Sequence, residues 1–339
     1  MKRRALLTGL ATILVVALSI LLLGQSPPPD NDSILKVDAD GPGEAAVAEA
    51  RPAPHEVPGY EPVQALAKAY PTRVDRVEIR GGQWALEMDG VWYYWAEGRL
   101  LPKEHIDRAE EFVSLRFYGN YELGPATKRE IPPELAARLR ERDDVGGNDE
   151  RSRFNAFNDH LYGVSSRAEA DRLMERITFL GKRTRVHPLL VEPLERVDAR
   201  VRKAATVDPE TQRFLEELFQ IHGYNWRNIA GTARRSYHSY GIAVDLLPIR
   251  WYGGWAYWQW ASDGGVEEWW DLDLSDRWMV PQPVIDAFEA EGFVWGGKWL
   301  FFDNMHFEYR PESIIMAQHD GRQRERPDAS SADNHTTSD

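Results

Sequence analysis

The chain has 339 residues with a formal net charge of −13, and 42% of its residues are hydrophobic, so it is long enough for one large or two modest domains with a buried core. The negative charge argues against a nucleic-acid-binding surface, which needs a basic stripe. Because no cysteine occurs, disulfides and thiolate metal ligands are excluded, and histidine and carboxylate side chains must hold any metal.

The N-terminus has the pattern of an export signal. Lys2, Arg3 and Arg4 precede an almost wholly apolar run, Ala5–Leu23. The run is close to the roughly 20 residues that span a bilayer, so residues 1–24 are predicted to be an uncleaved signal anchor or a cleaved signal peptide. Either alternative places the remainder outside the cytoplasm, in the periplasm or cell envelope. Residues 25–58 are rich in Pro, Asp, Ala and Glu, which predicts a disordered linker.

Residues 59–145 are predicted to be a small β-rich region of unknown role. Three short β-prone runs follow one another: Val74–Ile79, Gln83–Met88 and Val91–Ala96. Asp89-Gly90 separates the last two, and this dipeptide between β-prone runs is a strong hairpin signal. Farther along, Pro132–Arg142 has the pattern of a charged surface helix.

Residues 146–318 are predicted to be a further domain with several helices. The apolar spacing of Asn148–Arg185, which includes Ile177 and Leu180, favours helices. Pro193 suits the first turn of a further helix, and Asp208-Pro209 predicts the start of the next. That last helix would carry the following apolar residues on one side: Phe214, Leu215, Leu218 and Phe219. Pro283–Glu291 predicts another short helix.

The stretch Trp251–Trp278 is unusually aromatic and leaves two interpretations open. Its rings could form the wall of a substrate cleft, or buried indoles could anchor a long loop. At the C-terminus, residues 319–339 are polar and are predicted to be a disordered tail.

Two separated motifs carry the residue types of a catalytic metal site. The first runs from Ser236 through His238 to Asp245, and the second runs from Asp303 through His306 to Glu308. Catalytic zinc takes three protein ligands from His, Asp and Glu, and His238, Asp245 and His306 supply that number. Alternation along a strand would place His306 and Glu308 on one face. A carboxylate at Asp303 would lie close enough to act as a base. The other seven histidines fit no ligand spacing.

The pattern S-x-H-x-x-G-x-A-x-D followed by D-x-M-H-F-E resembles that of the LAS zinc metallopeptidases. Within them it is similar to the VanY-type D-alanyl-D-alanine carboxypeptidases and the L-alanyl-D-glutamate peptidases, and the resemblance covers about Tyr224–Glu312. The resemblance implies one Zn²⁺ per chain held by His238, Asp245 and His306. It further implies the following roles: Asp303 as general base, Arg227 as stabiliser of the tetrahedral oxyanion, and Ser236 and Trp299 as candidate substrate-binding residues. Ser236 could instead only cap its turn.

The sequence therefore predicts an α+β fold, with a small antiparallel sheet that bears the zinc site, flanking helices and an N-terminal β-rich subdomain. The resemblance implies a zinc peptidase acting on peptidoglycan stem peptides, at D-Ala-D-Ala or L-Ala-D-Glu bonds, and Asp at position 303 is closer to the second branch. The alternatives are a non-catalytic envelope scaffold that retains the zinc fold and a peptidase for ordinary L-peptides. Membrane contact is expected through the N-terminal segment only.

Overall fold

The protein consists of helices and small antiparallel sheets. The structure is a computed structural model, which describes residues 52–115, 121–141 and 151–324. This mixture agrees with the α+β class predicted from the sequence. The predicted signal anchor, 1–24, lies outside the described residues. Among those that are described, no helix is long and apolar enough to cross a membrane.

Groups of strands and groups of helices follow one another along the chain. The helices are α1 (Tyr60–Ala69), α2 (Pro133–Arg140), α3 (Asn155–Tyr162), α4 (Arg167–Leu173), α5 (Val191–Ala205), α6 (Pro209–Glu217), α7 (Trp258–Asp263), α8 (Gln282–Ala290) and α9 (Pro311–Arg324). The strands are β1 (Arg76–Arg80), β2 (Gln83–Met88), β3 (Val91–Ala96), β4 (Arg99–Leu101), β5 (Glu175–Phe179), β6 (Lys182–Val186), β7 (Leu218–His222), β8 (Ala243–Pro248), β9 (Phe293–Trp295) and β10 (His306–Tyr309).

The first four strands form one antiparallel sheet in chain order, β1-β2-β3-β4. The predicted Asp-Gly hairpin is confirmed between β2 and β3. Asp89 and Gly90 both have positive φ, 47° and 80°, which is the conformation that a two-residue type I′ turn requires. Part of the predicted linker is ordered as well, because Pro54–Glu56 form a 3₁₀ turn and the Trp84 indole donates a hydrogen bond to the Pro54 carbonyl over 2.8 Å.

Part of the predicted helical stretch Asn148–Arg185 is instead a β-hairpin. Helices α3 and α4 are present, but Ile177 lies in β5, which pairs with β6. The turn between these strands consists of Leu180 and Gly181, with φ of 47° and 78°. The sequence prediction was wrong here because the short apolar spacing fits both periods, and the turn at Leu180-Gly181 ends any helix.

The central sheet has the strand order β7-β8-β10-β9, with all neighbours antiparallel. Helices α5 and α8 pack together beside it. The Phe307 ring of β10 stacks on the Phe288 ring of α8 at a centroid distance of 3.9 Å, so this face of the sheet belongs to the core. Because side chains alternate along a strand, His306 and Glu308 must point to the opposite face.

One hydrophobic core joins the regions on either side of residue 145. Leu66 of α1 and Leu86 of β2 belong to the same buried cluster as Val244 and Phe307 of the central sheet. At the junction, the rings of Tyr93 and Phe157 meet edge to face at 5.2 Å. The division into domains at 145/146 stays a prediction, whereas the shared core is a feature of the structure.

Helix α6 begins as the sequence predicts and ends earlier than expected. Asp208 caps it by accepting a hydrogen bond from the Thr211 amide over 2.9 Å. The helix stops at Glu217, and the chain continues as β7, in which Leu218 is buried and Phe219 is 63% exposed. The placement of Phe219 on a buried helix side was therefore wrong, because a period of two replaces the helical period at this point.

The aromatic stretch contains helix α7 and several indoles that are buried in the fold, and its interpretation as a cleft wall stays a prediction. Trp269 and Trp270 are buried together with Phe302 in a small separate cluster. The Trp258 ring packs on Trp269 at a centroid distance of 4.8 Å, whereas Trp260 is 40% exposed.

At the C-terminus, α9 continues to Arg324, so residues 319–324 are helical although the sequence predicted a disordered tail from 319.

Gly241 ends the turn that carries His238, and its conformation leads to a test of stability. It has a φ of 67°, and an added Cβ would lie 2.2 Å from the Met174 sulfur and 2.8 Å from the His187 nitrogen. Gly163, with a φ of 63° and open space around it, is the matched control. We expect Gly163→Ala to cost about 1–2 kcal/mol of unfolding free energy. Gly241→Ala should cost about 1–3 kcal/mol more, because overpacking is added. Urea denaturation measures both; equal losses would contradict the close packing around Gly241.

Candidate metal centre

Strand pairing brings two of the predicted ligands together. His306 of β10 and Asp245 of β8 are direct partners in the antiparallel register. Their side chains point to the same face, and His306 Nδ1 lies 2.8 Å from Asp245 Oδ1. Because residues directly opposite each other on one face are close neighbours, this register alone brings an imidazole and a carboxylate into contact.

The third predicted ligand arrives on a tight turn. Tyr237–Tyr240 form a 3₁₀ turn that begins after Ser236 and ends at Gly241. The turn places His238 Nε2 at 3.2 Å from Asp245 Oδ1 and at 3.2 Å from His306 Nδ1. Ligand atoms at 2.0–2.2 Å from a tetrahedral zinc ion would be separated by roughly 3.3–3.6 Å, so the three atoms are spaced as such an ion requires after a small relaxation.

Hydrogen bonds fix which nitrogen of each imidazole faces the centre. His238 Nδ1 lies 2.6 Å from the Gly223 carbonyl oxygen, which only accepts, so Nδ1 carries the proton. His306 Nε2 lies 3.1 Å from Glu308 Oε1 and donates to it in the same way. When both imidazoles are neutral, the lone pairs of His238 Nε2 and His306 Nδ1 face Asp245, where a cation would lie. A carbonyl and a carboxylate behind the histidines are the partners that metal-ligating imidazoles usually have.

The electrostatics of this group favour a bound cation. Burial favours the neutral form of the Asp245 carboxyl, but the adjacent histidines outweigh it and hold the pKa well below its usual range. Burial likewise disfavours a charged His306, yet Asp245 and Glu308 raise the pKa of that imidazole. Two carboxylates therefore stand around His306 in a buried site, and positive charge is stabilised there. Zn²⁺ fits this donor set of two histidines and one carboxylate.

A chain of buried charges extends from the candidate ligands to the N-terminal region. Glu308 lies 3.7 Å from Arg310, and the Arg310 guanidinium donates to Glu312 over 2.5 Å. The hydroxyl of Tyr70, the residue that follows α1, in turn donates to Glu312 over 3.2 Å. Arg310 also covers the Tyr237 ring, next to His238, at 5.0 Å. The orientation of His306 thus depends on groups well outside its own motif.

Asp303 lies beside this centre, as the sequence predicts. Its side chain is influenced by the charges of His306, Asp245 and His238, and its Oδ1 atom is buried without a hydrogen-bond partner among the described residues. Burial raises the pKa of the Asp303 carboxyl to about 7, Asp245 adds to the rise, and the two histidines oppose it. A carboxylate with an unused oxygen and a pKa near neutrality suits a general base.

The structure separates the arginines near the first motif. Arg235 pairs with Asp159 and stacks on the Trp226 ring, so its side chain is engaged in the fold. Arg227 is exposed, and its charge acts on Tyr257. Tyr257 is the bridge partner of Asp303, and burial together with the Asp303 charge raises the pKa of its phenol to about 12. Arg227 is therefore closer to the candidate base than its exposure alone suggests.

The two predicted substrate-binding residues lie next to the ligands. Ser236 Oγ accepts a hydrogen bond from the His238 amide over 3.3 Å, so Ser236 does cap the turn. The Trp299 ring lies 5.5 Å from the His306 ring. Substrate contacts for both, and the catalytic roles of Asp303 and Arg227, stay predictions.

Sequence reasoning missed three contributors to the site. Gly223 supplies the acceptor for His238, and Tyr257 pairs with Asp303. Ser239 holds the segment at Arg227 beside the turn, because its hydroxyl accepts from the Arg227 amide over 2.9 Å and donates to the Arg227 carbonyl over 2.7 Å. The Ser-x-His-Ser spacing is a signal for such a capped turn, whereas the other two contacts are made across distant parts of the chain.

Replacement of Glu308 by glutamine tests the orientation of His306. The amide still accepts a hydrogen bond from Nε2 but lacks the negative charge, and Arg310 keeps Glu312 as its partner. We expect zinc affinity to fall about 10- to 100-fold, as for other partners of metal-ligating histidines. Competition with a chromogenic chelator measures this affinity. The control, Glu291→Gln, removes an acid that pairs with Arg196 and Arg200. Unchanged affinity in Glu308→Gln would contradict the assigned role.

Two segments of the chain match known protein families. Residues 230–309 match the model of a family described as D-alanyl-D-alanine carboxypeptidase. The matched residues include His238, Asp245, Asp303 and His306, and they begin after Arg227. Residues 62–117 match the model of a domain of unknown function, DUF8518. No solved structure matches the chain. The stretch that forms the candidate metal centre is therefore similar to the D-alanyl-D-alanine carboxypeptidases.

Proposed function

We propose that this chain is a zinc-dependent peptidase that hydrolyses amide bonds in peptidoglycan stem peptides. The observation that carries the proposal is the convergence of His238 Nε2, Asp245 Oδ1 and His306 Nδ1 within 3.2 Å of one another, with Asp303 beside them. The similarity of residues 230–309 to D-alanyl-D-alanine carboxypeptidases supports the substrate class.

The reaction follows from what the residues can do. Bound zinc supplies a Lewis acid that polarises the scissile carbonyl and lowers the pKa of water. Asp303 accepts a proton from the attacking water and returns it to the leaving amine, which is the task of a base with a pKa near neutrality. Arg227, exposed beside Tyr257, stabilises the negative charge that develops on the carbonyl oxygen.

The substrate bond is one of two in this proposal: the terminal D-Ala-D-Ala bond or the L-Ala-D-Glu bond. Either substrate lies outside the cytoplasm. The protein is accordingly proposed to be exported to the cell envelope, with residues 1–24 as its export signal and as its tether if they are not cleaved.

A digest of purified peptidoglycan tests this function. Zinc-loaded protein should release D-alanine or stem peptides, and mass spectrometry of the remaining muropeptides identifies the bond. Asp303→Asn keeps the size of the side chain but cannot accept the proton, so the rate should fall about 100-fold or more. Chelation should abolish release, and added zinc should restore it.

The control for this digest is His55→Ala, which changes an exposed histidine of the Pro54–Glu56 turn. It should keep most of the activity. Zinc-bound protein that releases nothing from any wall type would contradict the proposal and favour a scaffold that retains the zinc fold. Cleavage of casein or synthetic L-peptides at comparable rates would instead indicate a peptidase for ordinary proteins.

A further inference from the structure

A large cavity lies next to the candidate metal centre. Its volume is about 690 Å³, within the range typical of ligand sites, and its walls come from residues within 121–130, 270–277 and 297–301. Trp299 lines this cavity, and its ring lies 5.5 Å from the His306 ring. Trp299 therefore contacts both the cavity and the candidate ligand His306.

One arginine in the cavity wall, Arg277, differs from the two lysines there in its charge partners and from the exposed Arg129 in its burial. Lys128 pairs with Asp271 and Asp273 at 3.2 and 2.9 Å, and Lys298 pairs with Glu289. Arg277 has no carboxylate within 4.0 Å among the described residues. Its guanidinium donates a long hydrogen bond of 3.4 Å from Nη2 to the Leu272 carbonyl, and its buried Nε has no partner among those residues.

The environment of Arg277 leaves its charge poorly compensated. Burial lowers the pKa of its guanidinium to about 10. The group lies 3.9 Å above the Phe302 ring centroid, and this cation–π contact offsets only part of the cost of removing the charge from water. Phe302 immediately precedes Asp303, so Arg277 is placed over the segment that carries the candidate base.

We propose that Arg277 is the anion-binding group of a substrate subsite in this cavity and that it binds a free carboxylate of the peptide. The inference rests on the proposed function, because a stem peptide carries free carboxylates at its C-terminus and on its acidic residues. The planar guanidinium pairs with a carboxylate through two parallel hydrogen bonds. Arg277 lines the cavity, and the hydrogen bond that its Nη2 makes among the described residues is the long one to Leu272. Trp299 separates this subsite from the site of hydrolysis.

The test compares peptides that differ in one carboxylate. Synthetic stem peptides are prepared as free acids and with each carboxylate amidated in turn, so a terminal and a side-chain carboxylate are distinguished. Binding is measured by calorimetry to the zinc-loaded, full-length Asp303→Asn protein, which does not depend on turnover. We expect one amidation to weaken binding about 10- to 100-fold, as for loss of a hydrogen-bonded charge pair.

Arg277→Met in the same background should remove this preference, so that acid and amide bind within about twofold of each other. Arg80→Met is the matched control, because Arg80 also stacks on an aromatic ring, at 4.2 Å from the Trp92 ring centroid, but lies in β1. It should keep the full preference. If Arg277→Met does not fold, Arg277→Lys provides the test instead. Lysine keeps the positive charge but lacks the paired donors of the guanidinium, so it should reduce the preference for the acid over the amide several-fold.

Two results would overturn the subsite. Arg277 variants that keep the full preference for the acid would do so, and so would equal binding of every acid and amide pair by the protein with Arg277 intact. Failure of the proposed function is distinguishable from either result, because it would be seen as an absence of peptide release by the wild-type protein while the binding comparison still gives its own answer.

Discussion

The pairing of His306 with Asp245 across β10 and β8 is the constraint on which the candidate site depends. A slip of one residue would turn every side chain of β10 to the other face. Phe307 prevents such a slip because its ring is fully buried against Phe288. The hydrophobic core on one face of the sheet thus determines where the candidate ligands lie on the other face. The turn that carries His238 then has only to supply the third atom from a short, capped segment.

The buried side chains of Glu308, Arg310 and Glu312 alternate in charge, and this alternation lowers the free-energy cost of burying them. Glu308, Arg310 and Glu312 are each less than 7% exposed, and an isolated charge at such a depth would be costly. Each has an oppositely charged neighbour, and Tyr70 donates to the last of them. Buried pairs of this kind contribute little net stability but are strongly destabilising when one member is lost. They hold His306 in one orientation.

Local structure could be predicted from the sequence, whereas contacts between distant segments could not. His238, Asp245 and His306 were identified because two histidines and an acid in such motifs are rare, and Asp89-Gly90 specifies its own turn. The β5–β6 hairpin was missed because a short apolar run fits both a helix and a strand. Arg277 could not be singled out from the sequence, because its neighbour Phe302 is distant along the chain. Only the fold places the two in contact and, among the described residues, leaves no acid beside the arginine.

The hydrogen bond from Tyr70 to Glu312 bears on how the candidate metal centre could be transferred to another protein. The stretch similar to the carboxypeptidases, 230–309, ends before Arg310 and Glu312 and begins after Gly223, whose carbonyl orients His238. Transfer of that stretch alone into another protein would carry the candidate ligands without Gly223, Arg310 and Glu312, which orient them. The smallest segment that could be transferred with all of these contacts therefore includes Tyr70 and the preceding helix α1. Recombination between α1 and the sheet would separate residues whose contacts depend on each other.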